Sequence, residues 1–431
     1  MEITELYEIF RQHPVITTDT RECPEGSIFF ALKGASFNGN LFARQALDQG
    51  CCYAVVDELC DGAADSRLIV VDDVLTTLQS LAHYHRKQLG TKIIGVTGTN
   101  GKTTTKELIA AVLEKKYNVL YTQGNFNNHI GVPKTLLRLT AEHEVAVIEM
   151  GANHPGEIKT LTDIVEPDCG IITNVGRAHL GGFGSFEGVV KTKGELYDFL
   201  RPRHATVFIH SGNEHLLAIA DGLNLIRYGT EPSPDNFVTG TVTECAPYLS
   251  FSWKTCEGVE HNVTTHLIGD YNIYNMLAAA AIGLTFGVGE EDVCSALSDY
   301  VPSNNRSQLT VTPHNHLVVD AYNANPTSMA AALRNFSAIR AERKMLILGS
   351  MKELGDVSQE EHEKIVAMIG DMQVSDVWLV GEGFAAVDHP FRQFPSVEEV
   401  REAILAHRPE NMFILIKGSN AQRLFTLPEI L

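Results

Sequence analysis

The sequence predicts an α/β protein of three domains built on mostly parallel sheets, and three observations predict it. The chain has 431 residues, more than one hydrophobic core supports, so about three domains is the natural division. Short apolar runs alternate with helical patterns over residues 88–305 and again beyond 306, as in parallel sheets crossed by helices. Finally, the apolar run 92–96 leads into Gly98-Thr99-Asn100-Gly101-Lys102-Thr103-Thr104, then into a helical pattern with Leu108, Ile109, Val112 and Leu113 on one side. That order wraps a polyphosphate: glycines let backbone N–H groups close around an anion, and the helix start adds its positive dipole end. The expected organisation is a small N-terminal α/β domain (1–87), a central P-loop ATPase-like domain (88–305) and a C-terminal Rossmann-like domain (306–431).

Composition narrows the function. Apolar content of 44% and charged content of 20% are those of an ordinary globular protein. The net charge of -19 argues against a nucleic-acid partner, which would need concentrated Lys and Arg. None of the eight cysteines forms a Cys-x-x-Cys pair, so neither a zinc site nor a redox motif shows. The acidic N-terminus has no apolar signal core, and the longest mostly apolar run, near 277–288, is too short to span a bilayer. A soluble cytoplasmic protein without membrane insertion is expected.

In the first unit, 27–32 and 54–56 read as strands and 41–47 as a helix ending near Gly50, with turn residues 33–40 between strand and helix. Asp19-Thr20-Arg21 offers a hydroxyl beside a guanidinium, suited to an anion such as a pyrophosphate, although an ordinary turn has the same composition. A helix over 74–89 links to the central unit.

There, Lys102 would supply a point charge for the β and γ phosphates and Thr103 a hydroxyl for Mg²⁺. The usual P-loop has a glycine where this chain has Val96; Gly98 lies three residues before Gly101, a variant spacing. After a strand at 118–122 comes a loop rich in amides, with Asn125, Asn127 and Asn128, and Pro133 placed for a first helical turn. The run 144–149 is a buried strand ending on Glu149. In open α/β sheets that edge faces the ligand, so Glu149 is a candidate Mg²⁺ ligand; a carboxylate facing water is the alternative. The strand 169–175 runs into a glycine-rich loop with His179, a possible second metal ligand. A helix over 186–200 carries Lys191, Lys193 and Tyr197, and local pattern alone does not separate these lysines from a solvated face. Residues 237–267 are β-rich and suggest an antiparallel flank. Asn272 and Asn275 share one face of the following helix, where amides could read an adenine edge.

The stretch 300–307 reads as a linker. Beyond it, strands at 317–320, 345–348, 377–380 and 412–416 alternate with helices near 327–339, 359–371 and 396–407. No Gly-x-Gly-x-x-Gly follows the first of these strands, so a dinucleotide site is not supported.

Asp320-Ala321-Tyr322-Asn323-Ala324-Asn325-Pro326 resembles the third-domain signature of the Mur ligases that add D-alanyl-D-alanine to UDP-N-acetylmuramoyl-tripeptide. The resemblance runs over essentially the whole chain. It includes the phosphate loop, Gly124-Asn125-Phe126-Asn127-Asn128, Glu149-Met150-Gly151, Ala178-His179-Leu180, the stretch 348–355 and Lys417-Gly418-Ser419. In the first domain, Asp19-Thr20-Arg21 and the run 29–34 match as well. The chain departs at Ser350, where aspartate is common, and at Asn304-Asn305-Arg306, where many members have glycine before arginine; neither removes a catalytic group.

The resemblance implies an ATP-dependent ligase of peptidoglycan synthesis that works through an acyl phosphate and releases ADP and phosphate, a cytoplasmic monomer. It implies ATP on Gly98, Thr99, Asn100, Gly101, Lys102, Thr103 and Thr104, with Asn275, Arg306 and Asp320 toward adenine, phosphate and ribose. Two Mg²⁺ ions are implied, on Thr103 and Glu149 and on His179 with a CO2-derived carbamate of Lys193. Spacing to Tyr197 favours Lys193 over Lys191. Residues 1–87 become a UDP-substrate-binding domain with Thr20 and Arg21 at the UDP end. Asn125, Asn128, Tyr322, Asn323 and Asn325 become substrate-binding. The competing readings are a different ligase of the superfamily, which should lack the Tyr-Asn-Ala-Asn-Pro run, and a P-loop ATPase switch that ligates nothing, which needs neither a third Rossmann-like domain carrying Arg306 and Asp320 toward the nucleotide nor a UDP-type first domain.

Overall fold

The computed structural model describes residues 1–60, 65–245, 247–302 and 306–431; Asn304 and Asn305 of the expected linker lie outside the described residues. Among those described, the strands form three main sheets of four, nine and six strands, in chain order. This is the three-domain, parallel-dominated α/β architecture expected.

The four-stranded sheet is all parallel: Ile16–Thr17, Ile28–Phe30, Tyr53–Val56 and Leu68–Val70, in that spatial order. The helix Val74–Gln88 closes it and then leaves it. Leu78, Leu81 and Ala82 on this helix share a core with Leu136 and Leu161 of the next unit, so the first two sheets are joined by packed apolar surface.

The central sheet places Lys92–Thr97 between Cys169–Ile172 and Val145–Glu149, all parallel. These strands are buried on both faces, which explains their unbroken apolar runs. The helices Glu157–Val165 and Phe186–Leu200 cover one face. Lys102–Leu113, Asn272–Thr285 and Glu290–Asp299 cover the other. The β-rich tract forms the three strands Asn236–Cys245, Tyr248–Thr255 and His261–Ile268, each antiparallel to the next, at one edge, as expected. Two parallel strands before it, Thr206–His210 and Asn224–Gly229, carry sheet pairing that the sequence pattern did not single out; the second has only two buried residues, so no apolar run marks it.

In the third sheet His316–Asp320, Phe413–Lys417, Lys344–Gly349 and Asp376–Val380 run parallel, in that order. The helices Pro326–Ala338, Ser358–Gly370 and Val397–Ala406 pack on its two faces. Because the strands are parallel, their C-terminal ends, 320, 349 and 417, open on one edge. That edge faces the C-terminal ends of the central strands.

Candidate active site

Between those edges lies a cavity of about 1100 Å³ lined by residues of all three units, from Leu75 and Gln79 through Gly98–Thr104 to Arg306 and Asp320. The phosphate loop forms its floor. Gly98 and Gly101 have φ of 146° and 76°, a backbone that L side chains rarely adopt. A Cβ on Gly98 would stand 2.0 Å from Thr173 Oγ1, and one on Gly101 2.8 Å from Asn275 Oδ1. The variant spacing has its reason here: Val96 is still in register in the strand, paired with Ile171 and Glu149, so the turn starts two residues later. The loop is braced from the next strand, since Thr173 Oγ1 and Asn174 Nδ2 both donate to the Asn100 carbonyl, at 2.6 and 2.9 Å. Lys102 curls back over the loop, and its Nζ donates to the carbonyls of Gly98 and Thr99 at 2.9 and 3.0 Å. Burial lowers the pKa of Lys102; the Glu149 carboxylate opposes that and Arg306 adds to it.

Glu149 is 1% exposed, which excludes the water-facing alternative. Its two oxygens accept from Thr103 Oγ1 at 2.9 Å and from Asn127 Nδ2 at 2.8 Å. A hydroxyl and a carboxylate side by side are hard oxygen donors, the kind Mg²⁺ takes. Among the described residues no group of three or more His, Cys, Asp or Glu could hold a metal ion by itself. That donor set fits a Mg²⁺ completed by phosphate oxygens, which is how Mg²⁺ is commonly held. The amide-rich loop gives Asn127 no role by itself, and only the fold shows that it meets Glu149. Asn125 and Asn128 also line the cavity, and Asn128 Oδ1 accepts from the N–H groups of Ile130 and Gly131 to start the next helix.

Lys193 faces inward at 2% exposure while Lys191 is exposed, a distinction local pattern left open. Lys193 Nζ donates to the Ala152 carbonyl at 3.2 Å and sits 5.2 Å from the Phe183 ring centroid. Burial, reinforced by Lys102, brings its pKa down to about 7. An amine about half of which is neutral near pH 7 can add CO2, so the residue fits the expected carbamate. His179 lines the same cavity with φ of 50°. Burial lowers its pKa, opposed by the Glu353 carboxylate against its Nδ1.

The third unit supplies the opposite wall. Asp320 is held by Lys417, whose Nζ donates to Asp320 Oδ2 at 2.6 Å and to the Asn323 carbonyl at 3.0 Å. Lys417 is buried and was missed as a site residue, although Lys417-Gly418-Ser419 marked its place. The Arg306 guanidinium lies 4.2 Å over the Tyr322 ring, and its buried Nε has no hydrogen-bond partner among the described residues. Tyr322 and Asn323 line the cavity.

Two expectations change. Asn325 is not part of the cavity wall: its Oδ1 caps the helix Pro326–Ala338 by accepting from Ser328 N at 2.9 Å, and its Nδ2 donates to Asn100 Oδ1 at 2.7 Å. It ties the third unit to the phosphate loop. Asn272 and Asn275 reach the wall, but their amides are engaged. Asn275 Nδ2 donates to Asn272 Oδ1 at 2.8 Å and Thr105 Oγ1 donates to Asn275 Oδ1 at 3.0 Å. They brace the loop from behind, and the rings lining that end belong to Tyr271, Tyr274 and His210. Thr20 and Arg21 lie outside the cavity wall; Arg21 is exposed and pairs with Asp19 at 2.6 Å.

The pattern of the Mur ligase middle domain matches residues 96–283, and that of the Mur ligase glutamate ligase domain matches 305–420. The chain is 35% identical over 421 residues to the UDP-N-acetylmuramoyl-tripeptide–D-alanyl-D-alanine ligase of Bacillus subtilis (strain 168), covering 95% of this chain and 91% of that protein. It is 35% identical over 376 residues to the ligase of the same name from Escherichia coli (strain K12), covering 86% and 82%. Among solved structures it is similar to MurF from Acinetobacter baumannii, with a TM-score of 0.84 at 32% identity over 96% of this chain and 92% of that one. With a phosphate loop, a buried hydroxyl–carboxylate pair and a third-unit Asp–Lys pair on one cavity, and with relatives along nearly its whole length, the chain belongs to the Mur ligase family and groups with its D-alanyl-D-alanine-adding members.

Proposed function

We propose that the protein joins D-alanyl-D-alanine to UDP-N-acetylmuramoyl-tripeptide at the expense of ATP, giving the pentapeptide, ADP and phosphate. The observation that carries this reading is the single cavity walled by all three units, with the phosphate loop beneath it and the Asp320–Lys417 pair opposite. An ATPase switch has no need of the second and third walls. The relatives named for this reaction supply the substrates.

A carboxylate is a poor acylating agent. In this reading a tripeptide carboxylate oxygen bonds to the γ-phosphorus of ATP, ADP leaves, and an acyl phosphate results. The amine of D-alanyl-D-alanine then attacks the carbonyl carbon, loses its proton, and phosphate departs. In-line transfer calls mainly for positioning and charge neutralisation. Gly98 to Thr104 cradle the phosphates through their N–H groups, and Lys102 presents its charge at the loop rim. The unpartnered Nε of Arg306 offers a further donor toward an anion. Asp320, steadied by Lys417, serves the ribose hydroxyls. Bound Mg²⁺ would neutralise phosphate charge, held at Thr103 and Glu149 and, for a second ion, at His179 and the carbamate of Lys193. Asn125, Asn128, Tyr322 and Asn323 face substrate. Thr20 and Arg21 take the UDP end in a domain of residues 1–87, with the central domain at 88–305 and the last at 306–431. The reading places the enzyme in the cytoplasm as a monomer; no helix among the described residues is long and apolar enough to cross a membrane.

The test is phosphate release from ATP with the UDP-linked tripeptide, with and without D-alanyl-D-alanine. Release that rises with the dipeptide and yields the amide is expected. Release indifferent to the dipeptide, without amide, would sink the assignment.

A further inference from the structure

We propose that Glu353 is a positioning residue for His179, by which the third domain completes the second metal position. The proposal rests on the reading of His179 as a metal ligand given above.

Glu353 stands in the loop after the strand Lys344–Gly349, and its carboxylate makes an ion-pair contact with the buried His179 Nδ1, a nitrogen with no hydrogen-bond partner among the described residues. Both residues have left-handed backbone, φ 62° for Glu353 and φ 50° for His179. Residues other than glycine rarely hold that conformation, and it persists where the surroundings impose it. The backbones are pinned as well, since Gly181 N donates to the Glu353 carbonyl at 3.3 Å. The ideal Cβ position of Gly181 lies 3.6 Å from that carbonyl oxygen and 3.8 Å from Gly355 N, ordinary van der Waals contact between the two loops.

Chemistry gives the pair a purpose. A histidine that ligates a metal through one ring nitrogen generally donates its other N–H to a carboxylate, which fixes the tautomer and the ring plane and raises ligand basicity. With Nδ1 turned to Glu353, Nε2 is the nitrogen left for a cation. The partner carboxylate comes from a different domain, so the imidazole is oriented only when the third domain is seated. Mere adhesion between the domains does not need this pair. Arg177 already provides it, its N–H donating to Thr327 Oγ1 and its guanidinium to the buried Glu361, both at 3.2 Å.

The test counts metal ions directly, with Mn²⁺ in place of Mg²⁺, on the full chain with β,γ-methylene ATP and UDP-N-acetylmuramoyl-tripeptide. Free Mn²⁺ is read by its paramagnetic resonance signal. The wild type is expected to take up two ions. Glu353→Ala should keep the affinity of the first, which also shows that the variant is folded, and weaken the second by roughly 10–100-fold. Glu361→Gln, which breaks the Arg177 ion pair at the same interface, should keep both wild-type affinities. A Glu353→Ala variant with an unchanged second affinity would overturn the proposal and leave the ligase reading intact. An equal loss in Glu361→Gln would also overturn it, because any break in the interface would then suffice. A wild type that binds a single Mn²⁺ would overturn this proposal together with the metal role of His179.

Discussion

Thr103 Oγ1 donates a 2.9 Å hydrogen bond to Glu149 Oε2, joining the first turn of the phosphate-loop helix to the end of the neighbouring strand. The two oxygens are hard donors of the kind Mg²⁺ takes. Glu149→Gln keeps the shape and the contacts but removes the anionic oxygen. Its kcat/KM is expected to fall by at least about a hundredfold, equal to about 3 kcal/mol of transition-state stabilisation. Nucleotide binding measured with EDTA should stay as in the wild type. A variant that is fully active across a Mg²⁺ titration would remove Glu149 from the metal site.

Lys193 and Lys191 lie on one helix and point opposite ways, one buried and one exposed. Lys193→Ala is expected to lose activity that acetate or another short carboxylate partly restores, because the added anion replaces the carbamate oxygens. Lys191→Ala should be close to wild type, since a solvated lysine contributes little. Full activity of Lys193→Ala without any carboxylate would disprove the carbamate.

Gly98 cannot carry a side chain without moving Thr173, whose Oγ1 would be 2.0 Å from the new Cβ. Gly98→Ala adds that clash to a φ of 146°. We expect about 1–3 kcal/mol of lost stability from the backbone alone and a marked loss of nucleotide affinity. Urea unfolding and titration with a fluorescent ATP analogue check the two effects separately.

His210 packs its ring 4.2 Å from that of Tyr274, and burial brings its pKa down to about 4. An unfolded chain binds this proton near pH 6.5, before the folded protein does. The contribution of the neutral ring is therefore complete above about pH 6.5 and is lost as pH falls toward the folded value. His210→Phe keeps the aromatic contact and abolishes the titration. Relative to wild type it should gain about 2 kcal/mol between pH 7.5 and pH 5, read from urea midpoints at the two pH values. Parallel curves for both proteins would contradict this.

Much of the site was legible in the chain, for local reasons. The glycine spacing around Gly98 and Gly101, the apolar strand ending on Glu149 and the amide-rich loop are properties of adjacent residues, and they set backbone conformation before any tertiary contact forms. Asn325 shows where that reading stops. A signature motif marks it as important, yet its two side-chain hydrogen bonds serve a helix cap and Asn100, far away in sequence. Asn275 likewise braces the phosphate loop with an amide whose partners are Asn272 and Thr105.

The sequence by itself determined the three-domain α/β class, the strand–turn–helix order around the phosphate loop, and the family. Each of these is carried by residue types at short spacing, through apolar periodicity, glycine φ and capping. Only the tertiary structure decided which side chains meet: Thr103 with Glu149, Asn127 with Glu149, Asp320 with Lys417, His179 with Glu353. Those meetings depend on strand register and on the seating of one domain against another. Both are set by packing of surfaces distant in the chain, which no local pattern encodes.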